Sequence, residues 1–235
     1  MKNRHPLYGS LPERIFADDA VVRQILREHP VSIGASSPSK MYHVLLELKH
    51  VIDARVPGHV VELGCYGGET TTRMRRLLDR LDQHDRELHV YDSWQGAPEL
   101  TPQDIPADPK VGPCSRTACV STKSAFVKHF HAEGLALPYV HSGWFGSIAD
   151  EEYPSPIAFA LFDGDIYPSI VDSFSKVYGK LSHGARVVID DYEWEHTPGV
   201  KLACGDFLRG KPEREQALLD YYGPGLSGGA VMVKC

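Results

Sequence analysis

Short apolar stretches that alternate with helical segments constrain this sequence most. The stretch HVVEL covers residues 59–63 and IAFALF covers 157–162, and each is followed by residues with helical spacing. IAFALF is apolar on both faces, which is typical of a parallel strand that is buried between helices. The alternation predicts an α/β fold with a doubly wound, Rossmann-like sheet.

The same patterns predict the individual elements. The predicted strands cover residues 59–63, 88–92, 139–141, 157–162 and 185–189, with closing strands at 217–222 and 229–234. The predicted helices cover residues 40–52, 70–81, 124–134, 168–181 and 199–208. A long loop with several prolines is expected from Gln95 to about Thr117.

The N-terminal part has a different composition from the rest. Four prolines break residues 1–40 into short pieces, and no strand pattern is found there. We therefore expect residues 1–40 to form an N-terminal helical extension, or lid, and residues 41–235 to form the main domain. A chain of 235 residues is long enough for one large α/β domain with a buried core.

Composition excludes several classes of partner. The net charge is −6 and no large basic tract exists, which argues against a nucleic-acid partner. No apolar run approaches the roughly 18 residues of a membrane span, and the N-terminus lacks the apolar core of a secretory signal. Five irregularly spaced cysteines do not indicate a disulfide framework. We expect a cytoplasmic protein without a membrane partner, and a homo-oligomer remains open.

A glycine-rich turn follows the first predicted strand. Gly64, Gly67 and Gly68 lack side chains where the chain turns sharply, and the next helix begins near Thr70. Helix N-termini attract polar and anionic ligands, so this turn is a candidate ligand site. Its spacing is not that of the dinucleotide fingerprint, and a plain tight turn is the alternative interpretation.

An acidic residue follows the second predicted strand. Asp92 stands where nucleoside-binding sheets of this type bind the ribose hydroxyls. A surface aspartate that caps the next turn is the alternative. Trp94, Trp144 and other aromatic residues flank strand ends, and an aromatic-lined pocket for adenine or substrate is consistent with their positions.

Two pairs of aspartates follow the fourth and fifth predicted strands. Asp163 and Asp165 lie in LFDGDIY, and Asp190 and Asp191 lie in VVIDDY, with no lysine or arginine in either motif. Like charges at neighbouring strand ends repel, so they need a proton, a partner or a cation. Carboxylate oxygens suit Mg²⁺ or Ca²⁺. Solvated helix-capping aspartates are the alternative, and His196 lies close enough in sequence to reach the same site.

In order and spacing, the motifs VVELGCYGGETT, VYDSWQGAPE, SGWF, LFDGDIY, VVIDDY and GVKLACGDF resemble the macrocin O-methyltransferase (TylF-like) family. The resemblance runs from about Val60 to Phe207. It implies a class I methyltransferase that uses S-adenosylmethionine and Mg²⁺ and that methylates sugar hydroxyls of secondary metabolites. Non-catalytic nucleoside binding and a hydroxylase-like reaction on the same fold are the rival interpretations.

The resemblance also implies roles for single residues. Asp163, Asp190 and Asp191 would bind the metal, and Asp165 would be the general base, although some relatives have histidine there. The residues expected at the S-adenosylmethionine site are Glu62, Gly64, Cys65, Tyr66, Gly67, Gly68, Thr70, Asp92, Ser93, Trp144 and Asp163. The partner would be a small hydroxylated acceptor. A vicinal diol could chelate the metal, which favours sugars, catechols or polyols.

Overall fold

The computed structural model describes residues 19–31, 37–117, 119–217 and 228–235. Its helices are α1 (Ala20–Glu28), α2 (Pro38–Asp53), α3 (Glu69–Arg80), α4 (Lys123–Ala132), α5 (Tyr167–Val177) and α6 (Pro198–Leu208). Its strands are β1 (His59–Leu63), β2 (Leu88–Asp92), β3 (Tyr139–Ser142), β4 (Ile157–Phe162), β5 (Leu181–Ile189), β6 (Glu215–Ala217) and β7 (Ala230–Val233). No helix in this part of the chain is long and apolar enough to cross a membrane.

The strands form one twisted sheet in the order β3-β2-β1-β4-β5-β7-β6. The first five strands are parallel, whereas β7 runs antiparallel to both β5 and β6. The chain winds outward from β1 to β3 and then returns to β4 on the other side of β1. This reversal is the switch point at which ligands bind in doubly wound sheets. The predicted sheet class is confirmed.

Most element bounds lie within two residues of the predictions, and the larger differences concern α5, β5 and β6. Strand β5 begins at Leu181, so the predicted helix over 168–181 was wrong at its end: α5 stops at Val177, and one 3-10 turn leads into the strand. Strand β6 covers Glu215–Ala217, which is earlier than the predicted 217–222, and residues 218–222 lie outside the described residues. The long loop contains a short 3-10 turn, Pro102–Asp104.

The described part of the N-terminal extension packs into the core. Asp19 caps α1, because its carboxylate accepts hydrogen bonds from the amides of Val21 and Val22. Ile25 and Leu26 are buried in the cluster that also contains the inner face of α2. The predicted boundary at residue 40 falls within the first turn of α2. A lid formed by residues 1–18 and 32–36 remains a prediction, since these residues lie outside the described ones.

Helix α2 is joined to the sheet by charge as well as by apolar packing. Ser37 caps it and Pro38 occupies its first turn, which is the usual arrangement at a helix start. Midway along the helix, the buried Glu47 forms an ion pair with Arg186 of β5. Breaking one partner of such a pair leaves a buried charge uncompensated. This contact fixes α2 across β4 and β5.

Replacing Leu26 by alanine tests whether α1 belongs to the folded domain. Leu26 is 1% exposed, so Leu26→Ala should lower the free energy of unfolding by about 2–5 kcal/mol through lost burial and a residual cavity. Arg27→Ala, on the exposed side of the same helix, is the control and should change it by about 0.5 kcal/mol or less. Urea denaturation measures both. If both substitutions change the free energy of unfolding by the same small amount, α1 does not fold as part of the domain.

Candidate active site

Gly64 brings the carboxyl ends of β1 and β4 together. Its backbone is left-handed, with φ of 92°, and its amide donates to the Tyr91 carbonyl of β2. A Cβ atom at this position would lie 2.0 Å from the backbone oxygen of Asp163. No side chain fits such a contact, so the position requires glycine. Gly64, a predicted cofactor residue, and Asp163, a predicted metal ligand, are therefore neighbours.

The rest of the glycine turn is closed on one side and open on the other. Gly68 has φ of 84°, and an added Cβ would lie 2.8 Å from the Phe126 ring. An added Cβ at Gly67 would have nothing within 4 Å among the described residues. Tyr66 adopts a left-handed backbone with φ of 44°, and its side chain is exposed. The open side of the turn, at Gly67, can accept a ligand.

Asp92 binds the glycine turn through its carboxylate. One oxygen accepts hydrogen bonds from the amides of Cys65 and Tyr66 at 3.0 and 2.9 Å. The other oxygen accepts from the Trp94 amide at 2.7 Å. The hydroxyl of the neighbouring Ser93 accepts from the Gln95 amide and donates to the Gly96 carbonyl, so it shapes the turn after β2. The bond from the Trp94 amide matches the turn-capping alternative given for Asp92 from the sequence, whereas its bonds to the glycine turn are a structural role that the sequence did not indicate.

Two tryptophans lie near Asp92. The backbone carbonyl of Asp92 accepts from the amide of Gly143, and the half-buried Trp144 follows directly. Trp94 donates from its indole nitrogen to the Ser142 hydroxyl at the end of β3. Aromatic side chains therefore flank the carboxyl ends of β2 and β3.

Glu62 is a buried acid at the end of β1. It is 1% exposed, and its carboxyl accepts a hydrogen bond from the Thr71 hydroxyl of α3. Burial raises the pKa of Glu62 to about 8, despite that hydrogen bond. The predicted Thr70 is also buried at the start of α3, but Thr71 makes the contact. Sequence reasoning missed Thr71, because a threonine early in a helix carries no distinctive signal.

The four aspartates leave adjacent parallel strands at the same edge of the sheet. The amide of Asp163 donates to Leu63 of β1, and the amide of Asp190 donates to Phe162 of β4. Asp165 and Asp191 have left-handed backbones, with φ of 62° and 52°. Such conformations cost energy for residues other than glycine and are concentrated at functional sites.

The surrounding protein changes the protonation of this cluster. Burial and the nearby charges of Asp190 and Asp165 raise the pKa of Asp163, while Lys40 opposes that rise. Burial and the charge of Asp190 also raise the pKa of Asp165, against Lys40 and hydrogen bonds from Cys119 and Asp191. A carboxyl whose pKa is raised accepts a proton more readily at neutral pH, as a general base must.

Lys40 supplies a positive charge that neither aspartate motif contains. Its ammonium group lies in the first turn of α2, forms an ion pair with Asp190 and lies 3.3 Å from Asp163 Oδ2. The contact to Asp163 spans 123 positions of sequence. Sequence reasoning missed it, because no local pattern relates a lysine at a helix start to a strand end so far away.

The chemistry of the site fits a divalent cation, although the described residues contain no preformed group of three side chains that could hold one. Asp190 is 4% exposed, and its Oδ1 has no hydrogen-bond partner within the described ranges. A buried carboxylate oxygen without a partner is costly, and a cation would satisfy it. Mg²⁺ at Asp163, Asp190 and Asp191 remains a prediction that this oxygen supports.

The long loop after β2 covers the same edge of the sheet. The buried Asp104 accepts from the Tyr167 amide at 2.6 Å and from Thr101, which holds the loop to the start of α5. His196 contacts the Gly112 carbonyl through Nδ1 at 2.6 Å. The hydrogen-bonded loop leaves a cleft of about 520 Å³, lined by Gln95, Ala97, Leu100, Pro113, Cys114, Ser115, Arg116 and Thr117.

The strand order, the glycine turn after β1 and the acid after β2 define a class I methyltransferase fold. The sequence model of the Macrocin-O-methyltransferase (TylF) family matches residues 24–216, and the chain belongs to that family of S-adenosylmethionine-dependent O-methyltransferases. The family predicted from the motifs and the fold class are both confirmed.

Relatives of known activity act in antibiotic biosynthesis. Mycinamicin III 3''-O-methyltransferase of Micromonospora griseorubida is 30% identical over 193 residues, covering 78% of this chain and 74% of that protein. Demethyldecarbamoylnovobiocin O-methyltransferase of Streptomyces niveus is 31% identical over 148 residues, but the match spans only 56% of its length and 62% of this chain. The solved O-methyltransferase NovP superposes with a TM-score of 0.69 at 24% identity, covering 84% of this chain and 80% of that chain.

The raised pKa of Glu62 predicts a pH dependence of stability. The folded protein holds the Glu62 proton up to about pH 8, whereas the unfolded chain loses it near the ordinary value of 4.5. Protonated Glu62 therefore makes its full contribution to the stability of the folded state below pH 4.5, and this contribution is lost as the pH rises through 8. Glu62→Gln keeps the neutral form, so its stability relative to wild type should rise between pH 5 and 8. Urea denaturation without cofactor tests this, and a constant difference would contradict it.

Proposed function

We propose that this protein transfers a methyl group from S-adenosylmethionine to a hydroxyl of a small-molecule acceptor, in a reaction assisted by Mg²⁺. The acceptor class is a sugar or polyol moiety of a secondary metabolite. The observation that carries the proposal is that a glycine turn open at Gly67 and four strand-end aspartates share one edge of the sheet. A donor site and an acceptor site would thereby be adjacent.

The glycine turn and its neighbours are the proposed cofactor site. S-adenosylmethionine supplies the methyl group, whose bond to sulfur breaks as its bond to the acceptor oxygen forms. Glu62 would bind the ammonium end of the cofactor, and Asp92 would accept hydrogen bonds from the ribose hydroxyls. The pKa of Glu62 is raised in the free protein, so a bound ammonium group would favour release of the Glu62 proton.

Asp165 is the proposed general base. It would take the acceptor's hydroxyl proton onto a carboxylate oxygen while the carbon–oxygen bond forms. Asp163, Asp190 and Asp191 would hold Mg²⁺, whose positive charge favours loss of that proton. His196 was a second candidate for the base, but its Nδ1 contacts the Gly112 carbonyl and so has a structural partner.

The cleft formed by residues of the long loop is the proposed acceptor site. A volume of about 520 Å³ lies within the range of pockets that bind small molecules. Its lining combines apolar residues with Gln95, Ser115 and Arg116, so it offers both packing surface and hydrogen-bond donors. This mixture suits a glycosylated or polyhydroxylated molecule of moderate size.

A pair of glycine substitutions tests the cofactor site. Gly67→Ala adds a methyl group that would have no described residue within 4 Å, so the protein should fold normally but bind S-adenosylhomocysteine about tenfold more weakly, a loss of about 1.4 kcal/mol. Gly64→Ala places a methyl group against the Asp163 backbone and should destabilise the fold itself. Calorimetric titration and thermal unfolding separate these effects. Normal affinity in folded Gly67→Ala would argue against a cofactor at this turn.

Substitutions at Asp165 and Asp163 separate the base from the metal ligand. Asparagine tolerates the left-handed backbone of Asp165, so Asp165→Asn removes basicity without added strain. Its kcat should fall by about 10²–10⁴, with Mg²⁺ affinity within a few-fold of wild type. Asp163→Asn should weaken Mg²⁺ binding, and excess Mg²⁺ should partly restore turnover.

The acceptor for these assays is a glycosylated antibiotic precursor with vicinal hydroxyls, and methylation is followed by mass spectrometry. Near-normal kcat in Asp165→Asn would assign the base to another residue. If excess Mg²⁺ restores the turnover of Asp165→Asn, Asp165 would be the metal ligand and Asp163 the base. Full turnover of the wild type in excess chelator would exclude the metal from the reaction.

A further inference from the structure

We propose that Lys40 is a positioning residue of the metal site, which holds Asp190 by one carboxylate oxygen and limits the affinity of the site for Mg²⁺. The inference rests on the proposed function in one respect, namely that Asp163, Asp190 and Asp191 bind the metal. It adds a residue from another part of the chain to that site. It also gives the charge of that residue a specific effect on metal binding.

The first observation is that the two carboxylate oxygens of Asp190 have different surroundings. Its Oδ2 contacts the Lys40 ammonium, whereas its Oδ1 is buried and has no partner in the described part of the chain. Asp190 is 4% exposed, so water does not readily satisfy that second oxygen. The lysine therefore fixes the orientation of the carboxylate, and the unsatisfied oxygen remains for a cation.

The second observation is the balance of charge. Four carboxyl groups meet at this edge of the sheet, and Lys40 supplies the ammonium that contacts two of them, Asp163 and Asp190. An ammonium group and Mg²⁺ bound to the same carboxylates repel each other across a short distance. Lys40 therefore stabilises the cluster without metal and disfavours the metal-loaded form by the same charge.

The third observation is the place of Lys40 in the fold. It lies in the first turn of α2, three residues after the capping Ser37. Further along α2, Glu47 pairs with Arg186 of β5. Because Glu47 holds α2 to the sheet independently, loss of the lysine charge should not release the helix.

Removal of the lysine charge gives a definite expectation. Lys40→Met leaves the four carboxyl groups without their ammonium partner, so the metal-free protein should be less stable than wild type. Mg²⁺ should then restore more stability to the variant than to wild type, because any ligand that binds the folded form stabilises it by its affinity. By thermodynamic linkage the variant must bind Mg²⁺ more tightly, by about tenfold or more.

The experiment measures Mg²⁺ binding by isothermal titration without cofactor or acceptor, and thermal unfolding in chelator and in Mg²⁺. Lys40→Arg keeps the charge and should bind Mg²⁺ within a few-fold of wild type. Glu47→Gln is the matched control, since it disrupts the other α2 ion pair and should lower the melting temperature equally in both conditions. If Lys40→Met does not fold, Lys40→Gln, which retains a hydrogen-bond donor, takes its place.

The outcomes distinguish the two proposals. Tighter Mg²⁺ binding in Lys40→Met, with near-normal binding in Lys40→Arg, supports the inference. Mg²⁺ binding by wild type with equal or weaker binding by Lys40→Met and Lys40→Gln overturns it and leaves the metal site intact. Absence of Mg²⁺ binding in every variant overturns both the metal site and the role of Lys40.

Discussion

The contact between Gly64 and the backbone of Asp163 is the constraint on which the rest of the site depends. It holds the end of β1 against the end of β4 at the point where the winding of the sheet reverses. The glycine turn leaves on one side of this contact, and the acidic strand ends lie on the other. Any side chain at residue 64 would separate the strands, and the two halves of the site would lose their common geometry.

The second constraint is the negative charge of the acidic side chains at this edge of the sheet, which the fold stabilises in more than one way. Asp92 is satisfied by three backbone amides, so its negative charge also holds the glycine turn in place. Burial favours the protonated forms of Glu62 and Asp163. Asp190 instead has the ammonium group of Lys40. The acids of this edge are therefore stabilised by different means, although their sequence motifs look alike.

The sequence predicted what depends on local pattern and on strand order. Asp163 and Asp190 could be placed together because the carboxyl ends of neighbouring parallel strands share an edge. Lys40 and Asp104 could not be found, since their partners lie far away in sequence and only tertiary packing joins them. The left-handed backbone of Asp165 was also unpredictable, because the surrounding fold imposes it on a residue that does not require it.

Backbone hydrogen bonds hold the loop that forms the cleft at two separate points. Ala97 and Arg116 pair across its base, and the Cys114 amide donates to the His196 carbonyl. Main-chain bonds do not depend on the identity of the side chain that each residue carries. The side chains that line the cleft can therefore change while the backbone of the loop keeps its course. If the cleft binds the acceptor as proposed, a change in its lining would change the molecule that is recognised and leave the edge of the sheet unaltered.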